Sequence, residues 1–168
     1  AVLLMSATGM QAAGFNQNGN YLTVQLKQHQ NFGPSQIRLQ VVSDKIIRVQ
    51  ATAEQSFRNK QSLIIVPQNS KAKYKVEEQG DNLIITTAAM RAVMNEATGQ
   101  ITFYDLKDNV LLNEVAQGGK TFKPFTVPDR EIGVDIAKVP EAQKHGWSWR
   151  ALFNSPDNEA FYGLGQHQ

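Results

Sequence analysis

Met90-Arg-Ala-Val-Met-Asn-Glu-Ala-Thr-Gly-Gln-Ile-Thr-Phe-Tyr-Asp105 decides the fold class. Ala92 and Met94 alternate on one face, and Ile101 and Phe103 do so on the returning strand, which is the period-two pattern of strands. Between them Glu96 to Gly99 forms a glycine-ended turn of hairpin length. Downstream, Asp105-Leu-Lys-Asp-Asn109 is a second turn, and Val110-Leu-Leu begins a further strand. Upstream, Leu83 to Thr87 and the segment around Tyr74 and Val76 flank Gln79-Gly80-Asp81-Asn82, another hairpin signal.

The same period runs back towards the N-terminus. Leu22, Val24 and Leu26 alternate with Thr23, Gln25 and Lys27, and Ile37, Leu39 and Val41 alternate with Arg38 and Gln40. Ser43-Asp44-Lys45 is a turn, and Ile46 to Gln50 returns as a strand on which Arg48 is an edge or solvated residue. Ser62 to Val66 is a short apolar run suited to a strand covered on both faces. From Gln117 to His145 the period fades among Pro124, Pro128 and Pro140, so this stretch reads as a loop that Phe122 and Phe125 pin to the core. Gly146 to Phe153 restores alternation, with Trp147, Trp149 and Ala151 on one face, and Asn154 to Asp157 is a turn. Many short strands without a convincing helical period predict an all-β, antiparallel β-sandwich or barrel.

The chain has 168 residues, 41% of them hydrophobic and 19% charged, which is enough for one domain with a real core. A net charge of only +2, with scattered basic residues, argues against nucleic acid or an anionic membrane as the main partner. Without cysteine there are no disulfides, thiolate nucleophiles or cysteine–zinc sites. Residues 1–14 are apolar and rich in small residues, and Ala12-Ala13-Gly14 offers a small-x-small cleavage site ahead of the polar run Asn16 to Asn20. They read as the remnant of a signal peptide, which predicts a bacterial periplasmic, cell-surface or secreted protein with residues 15–168 as one domain. No apolar run approaches the roughly 20 residues a bilayer span needs.

The last stretch, Asn158-Glu-Ala-Phe-Tyr-Gly-Leu-Gly-Gln-His-Gln168, interleaves Phe161, Tyr162 and Leu164 with Gly163 and Gly165, as expected of a tight, packed entry into further structure. It resembles the Phe-Tyr-Gly-(Leu/Phe)-Gly stretch of glycoside hydrolase family 31. The order of strand, Thr-Gly turn, Ile-Thr-Phe-Tyr-Asp, polar turn and Val-Leu-Leu-Asn-Glu also resembles that family's N-terminal sandwich. Many members carry an acid after the second glycine, where this chain has Gln166.

The resemblance implies a galactose-mutarotase-like supersandwich that leads into a (β/α)8 catalytic barrel not included in these residues. It implies a retaining α-glycosidase of the α-xylosidase or α-glucosidase type as the parent, with the barrel and an oligosaccharide as partners and no cofactor. A retaining glycosidase needs two carboxylates about 5–5.5 Å apart, and the family's Trp-x-Asp-Met type motif is absent here. Asp44, Asp81, Asp105, Asp108 and Asp157 all sit in turn contexts, so no catalytic residue is nominated and the chain alone is expected to be inactive. His29, His145 and His167 are too far apart in sequence to suggest a metal site, and His145 reads as a surface residue.

Four residues are candidates for substrate contact. Gln166 and His167 follow the closing motif, where packing against the barrel competes with a place near the sugar pocket. Trp147 and Trp149, two apart on one sheet face, are either a core pair or a stacking platform for sugar. The competing reading of the chain is a free-standing carbohydrate-binding module. An aldose-epimerase-like enzyme would need a histidine and a glutamate converging in one cleft, and no motif pairs them.

Overall fold

A computed structural model describes residues 14–27, 31–58, 72–117, 119–127 and 135–159. Two antiparallel sheets pack face to face. The first runs β1 (Phe15–Asn18), β2 (Tyr21–Gln25), β3 (Gln36–Ser43) and β4 (Ile46–Thr52) as an up-and-down meander. The second contains β5 (Lys75–Gln79), β6 (Asn82–Thr86), β7 (Met90–Asn95), β8 (Ile101–Asp105) and β9 (Val110–Glu114). A separate two-stranded ribbon pairs β10 (Lys120–Thr126) with β11 (His145–Ala151), and β12 (Phe153–Asn154) adds to the far edge of β9.

Alternation places the core. Leu22, Val24, Leu26, Ile37, Leu39 and Val41 from the first sheet meet Leu83, Ile85, Ala92, Met94, Ile101 and Phe103 from the second, and all are buried. Their registers put like with like: Leu22 faces Leu39 across β2–β3, Leu83 faces Met94 across β6–β7, and Ala92 faces Phe103 across β7–β8. A one-residue slip would turn every one of these side chains outwards, so burial itself fixes the register.

The turns carry local chemistry. Asn95 Oδ1 accepts bonds from Ala97 N at 3.1 Å and Thr98 N at 2.9 Å, and Gly99 follows at φ +74. A Cβ at Gly99 would stand 2.7 Å from Ile37 Cδ1, so this turn needs glycine both for its backbone and for its approach to the facing sheet. Asp105 Oδ1 accepts from Lys107 N and Asn109 N, closing the β8–β9 turn as an Asx turn. These bonds, with Asn109's side-chain amide first among them, hold the Asp105 carboxyl below its usual range.

Several expectations change. The stretch read as a loop from Gln117 contains β10, a strand whose Pro124 sits opposite Trp147. A two-stranded ribbon tolerates proline where the ladder needs no N–H, which is why the sequence pattern hid it. Phe125 is about half exposed and does not pin anything to the core. The polar run from Asn16 forms most of β1, ending in a turn at Gly19 of φ +59. A short α-helix, α1 (Glu141–Lys144), preceded by a 3-10 turn at Ile136–Lys138, leads into β11. Ser62 to Val66, His29 and residues 1–13 lie outside the described residues. Among the described residues no helix is long and apolar enough to cross a membrane.

Candidate functional site

Among the described residues the sandwich opens beside its edge strand β4, where a cleft lies. At the open side the edge strand β4 presents Val49 and Ala51 towards the interior, opposite Leu39 and Ile37 of β3. The second sheet answers with Glu114 of β9 and Phe153 of β12, which lie opposite each other in the ladder. The β10–β11 ribbon roofs the gap, because Lys120, Phe122, Trp149 and Ala151 share one ribbon face: Lys120 pairs with Ala151 and Phe122 with Trp149. Together these eight residues line a cleft of about 400 Å³. Its lining is mostly apolar.

The ribbon is tethered at several points. Phe122 N donates to Phe32 O at 2.6 Å, Leu152 N to Gly119 O at 2.7 Å and Val115 N to Leu152 O at 3.1 Å. The Trp147 indole donates to the Glu54 carboxylate beyond β4, which Arg58 Nε also holds at 3.1 Å. Arg58 first, and Trp147 in smaller part, keep Glu54 below the usual carboxylate range.

On the cleft floor Lys120 Nζ pairs with Glu114 and also donates to Gly99 O at 3.0 Å. Glu114 Oε2 accepts in addition from Ile101 N at 2.8 Å. Both side chains are nearly buried, at 10% and 5% exposure. Burial pushes the Lys120 ammonium below its ordinary range, and Glu114 pulls it back up. This pair fastens the ribbon to β8 and β9 through charge and backbone at once. Sequence reasoning missed it, because the neighbours of Glu114 in its strand, Leu111 and Leu112, are exposed and nothing in the local pattern marks the acid as buried.

The candidates from sequence are placed as follows. Trp147 and Trp149 do share a face, as their spacing required, but they are 44% and 67% exposed and belong to no core. The reason is that their strand lies in the outlying ribbon, which no second layer covers among the described residues. Gln166 and His167 lie outside the described residues. His145 is exposed, as expected for a surface histidine, although it sits in a relay: Nδ1 is 3.2 Å from Thr126 Oγ1 and Nε2 is 3.0 Å from Glu141 Oε1. That order of hydroxyl, imidazole and carboxylate is the order of a nucleophilic triad. Here it lies on an exposed ribbon end, and Glu141 is also paired with Lys144 at 3.1 Å. Lys144 first, then His145, lower the Glu141 carboxyl.

Carboxylates elsewhere are engaged by basic side chains. Asp81 and Glu96 share Lys27, at 2.8 and 3.0 Å. Asp108 holds Arg91 at 2.8 Å, and that guanidinium lies 4.9 Å over the Tyr104 ring on the outer face of the second sheet. Among the described residues no group of three histidines, aspartates or glutamates could hold a metal ion. Among the described residues the arrangement is an antiparallel β-sandwich with a roofed, mostly apolar mouth.

Comparison with known proteins gives this architecture its family. The glycosyl hydrolase 31 N-terminal galactose mutarotase-like domain matches residues 36–168, and the chain belongs to that family. The α-xylosidase of family 31 from Xanthomonas citri is 34% identical over 90% of this chain, with a TM-score of 0.71. An α-xylosidase of the same family from a soil metagenome, solved with xylose, is 25% identical over 92% of the chain at a TM-score of 0.59. A family 31 dextranase from Flavobacterium johnsoniae, solved with isomaltotriose, shares the fold at 22% identity over 68% of the chain, with a TM-score of 0.53. The match covers only 15%, 22% and 15% of those three chains, so each is several times longer than the region shared.

Proposed function

We propose that this chain is the non-catalytic N-terminal domain of a retaining α-glycosidase of the α-xylosidase or α-glucosidase type, and that it supports a (β/α)8 barrel and borders its active site. The observation that carries this reading is the 34% identity across nine-tenths of the chain to an α-xylosidase of which that region is 15%. The geometry is in keeping with it. Most described acids are engaged in turns, ion pairs or hydrogen bonds, and seven of the eleven exposed large apolar residues, Val110, Leu111, Leu112, Phe125, Trp147, Trp149 and Phe153, stand on β9, the ribbon and β12. Exposed apolar residues concentrated in this way are expected where a domain packs on a partner.

The test is a longer polypeptide read from the same gene. It is expected to contain two barrel aspartates, to hydrolyse an aryl α-xyloside or α-glucoside with retention, and to lose solubility or activity when residues 15–168 are deleted. Activity that is unaffected by that deletion overturns the supporting role. A location in the periplasm, at the cell surface or outside the cell belongs to the same reading and rests on residues 1–14. A reporter fused after those residues checks it by the compartment in which it accumulates.

One observation favours a second reading, a carbohydrate-binding module. Trp147 and Trp149 are exposed side by side on one ribbon face, and sugars stack on such rings. Calorimetry with xyloglucan and malto-oligosaccharides separates the two, since a purely supporting domain gives no binding heat. Loss of a measured heat in Trp149→Ala would establish the module instead.

A further inference from the structure

The outer face of the second sheet carries a concavity that the core does not use. Leu83, Ile85, Ala92 and Met94 point into the core, so their strand neighbours Ile84, Thr86 and Arg91 point away from it. Thr86 faces Arg91 across β6–β7, and Glu77 of β5 faces Ile84. Glu77 and Gln79 of the edge strand stand on one side of this row, and the β8–β9 turn brings Asp105, Leu106 and Asp108 to the other. Together they line a trough of about 330 Å³, a volume within the range of small-ligand sites.

The polar groups in it are held in place but not used up. The Arg91 guanidinium lies against the Tyr104 ring and pairs with Asp108 Oδ1, yet its side chain is still 34% exposed. Arg91 Nε is buried without a hydrogen-bond partner, a cost that the sandwich itself does not explain. Asp105 takes three bonds from Lys107 and Asn109, which fix the turn. Asp108, at φ +65, is largely exposed, and the nearest cation to Glu77 is Lys75 at 3.8 Å.

The mixture of groups selects a class of ligand. Glu77 and Asp108 only accept hydrogen bonds, Arg91 only donates, and Gln79 and Thr86 do both. An anion would meet three carboxylates for one guanidinium. An ammonium would meet that guanidinium on the floor, and among the described residues no group of acids is set to hold a metal ion. A neutral hydroxyl donates and accepts at once, so a ligand carrying several of them satisfies both sets without a charge clash. Ile84 and the exposed Leu106 offer apolar surface to C–H groups. A neutral, hydroxyl-rich molecule with an apolar face is a sugar ring.

We propose that this trough binds a neutral sugar ring, with Arg91 donating to its hydroxyls, Glu77 and Asp108 accepting from them, and Leu106 covering one face. The proposal goes beyond a supporting role for the domain and does not depend on it, nor does it use the tryptophans of the ribbon.

An amide shift titration of the 168-residue chain with isomaltotriose tests it. Saturable shifts are expected on β6, β7 and the β8–β9 turn. Glu77→Gln keeps the side chain's shape, and Asp108→Asn keeps a residue suited to positive φ. Each removes a charged acceptor and is expected to weaken binding about tenfold. Arg91→Met is expected to abolish the shifts, and Trp149→Ala to leave them unchanged. If Arg91→Met does not fold, the other two variants decide. No saturable shift at millimolar sugar overturns the proposal, and so do shifts that survive Glu77→Gln and Asp108→Asn. Shifts confined to the ribbon and lost in Trp149→Ala overturn it in favour of the stacking platform. Saturable shifts with acetyl-lysine amide but not with the sugar overturn it by making the trough a cation site.

Discussion

Replacing Lys120 with methionine keeps most of the aliphatic stem and removes the ammonium from the cleft floor. Glu114 then keeps one partner, Ile101 N at 2.8 Å, while its side chain remains 5% exposed. The Gly99 carbonyl loses its 3.0 Å bond as well. Breaking a buried ion pair from one side costs about 3–5 kcal/mol, because an uncompensated charge stays behind. The mouth above this pair is open, so the lower end of that range applies, at about 3 kcal/mol. Against a total stability of about 5–15 kcal/mol for a domain, this is a large fraction. Adding Glu114→Gln removes the stranded charge but keeps an acceptor for Ile101 N, and the double variant is expected to lie only about 1 kcal/mol below the wild type. Urea unfolding followed by far-UV circular dichroism measures both. A Lys120→Met loss under about 1 kcal/mol, or a double variant no better than the single, refutes the reasoning that this pair is desolvated and coupled. The pH dependence adds a check. Burial lowers the Lys120 pKa, so the unfolded chain holds that proton more tightly than the fold does. This group's contribution to stability therefore rises with pH in the window just beneath lysine's ordinary value, and Lys120→Met loses that rise.

Further outcomes follow from other parts of the fold. Gly99→Ala, at φ +74 and 2.7 Å from Ile37, is expected to cost about 1–3 kcal/mol and to lower the thermal midpoint, whereas Gly19→Ala, with open space around it, costs less because only its φ of +59 is strained. Met94→Ala, fully buried between the sheets, is expected to cost about 2–5 kcal/mol in the same urea titration. Lys27 is held above the ordinary lysine range by Asp81 first and Glu96 second, so its stabilising share is complete below that ordinary value and is lost as pH climbs through the raised one. Lys27→Met should therefore flatten the alkaline end of a stability–pH profile. Trp147→Phe removes the indole donor to Glu54 and is expected to loosen the ribbon, read as faster amide exchange along β10 and β11 with the β6–β8 core unchanged.

The period of two placed the core strands from sequence because the residues that β2, β3, β6, β7 and β8 send into the core are apolar and alternate along each strand. The glycines at 80 and 99 marked their turns for the same reason that the structure needs them, positive φ. Legibility failed where the layers stop. Pro124 and the polar residues of β10 concealed a ribbon strand that is stabilised by a single neighbour, and pattern alone could not say that Trp147 and Trp149 stand outside the sandwich. The Lys120–Glu114 pair was invisible for another reason. Its members are six residues apart in sequence, and only the fold shows that both point into one cleft.

The central claim is that these strands support chemistry performed elsewhere in a longer protein. The most direct measurement is turnover of an aryl α-xyloside by the purified 168-residue chain. The account predicts no aglycone release above the uncatalysed blank, at any pH. Saturable release that scales with the concentration of this chain would contradict it.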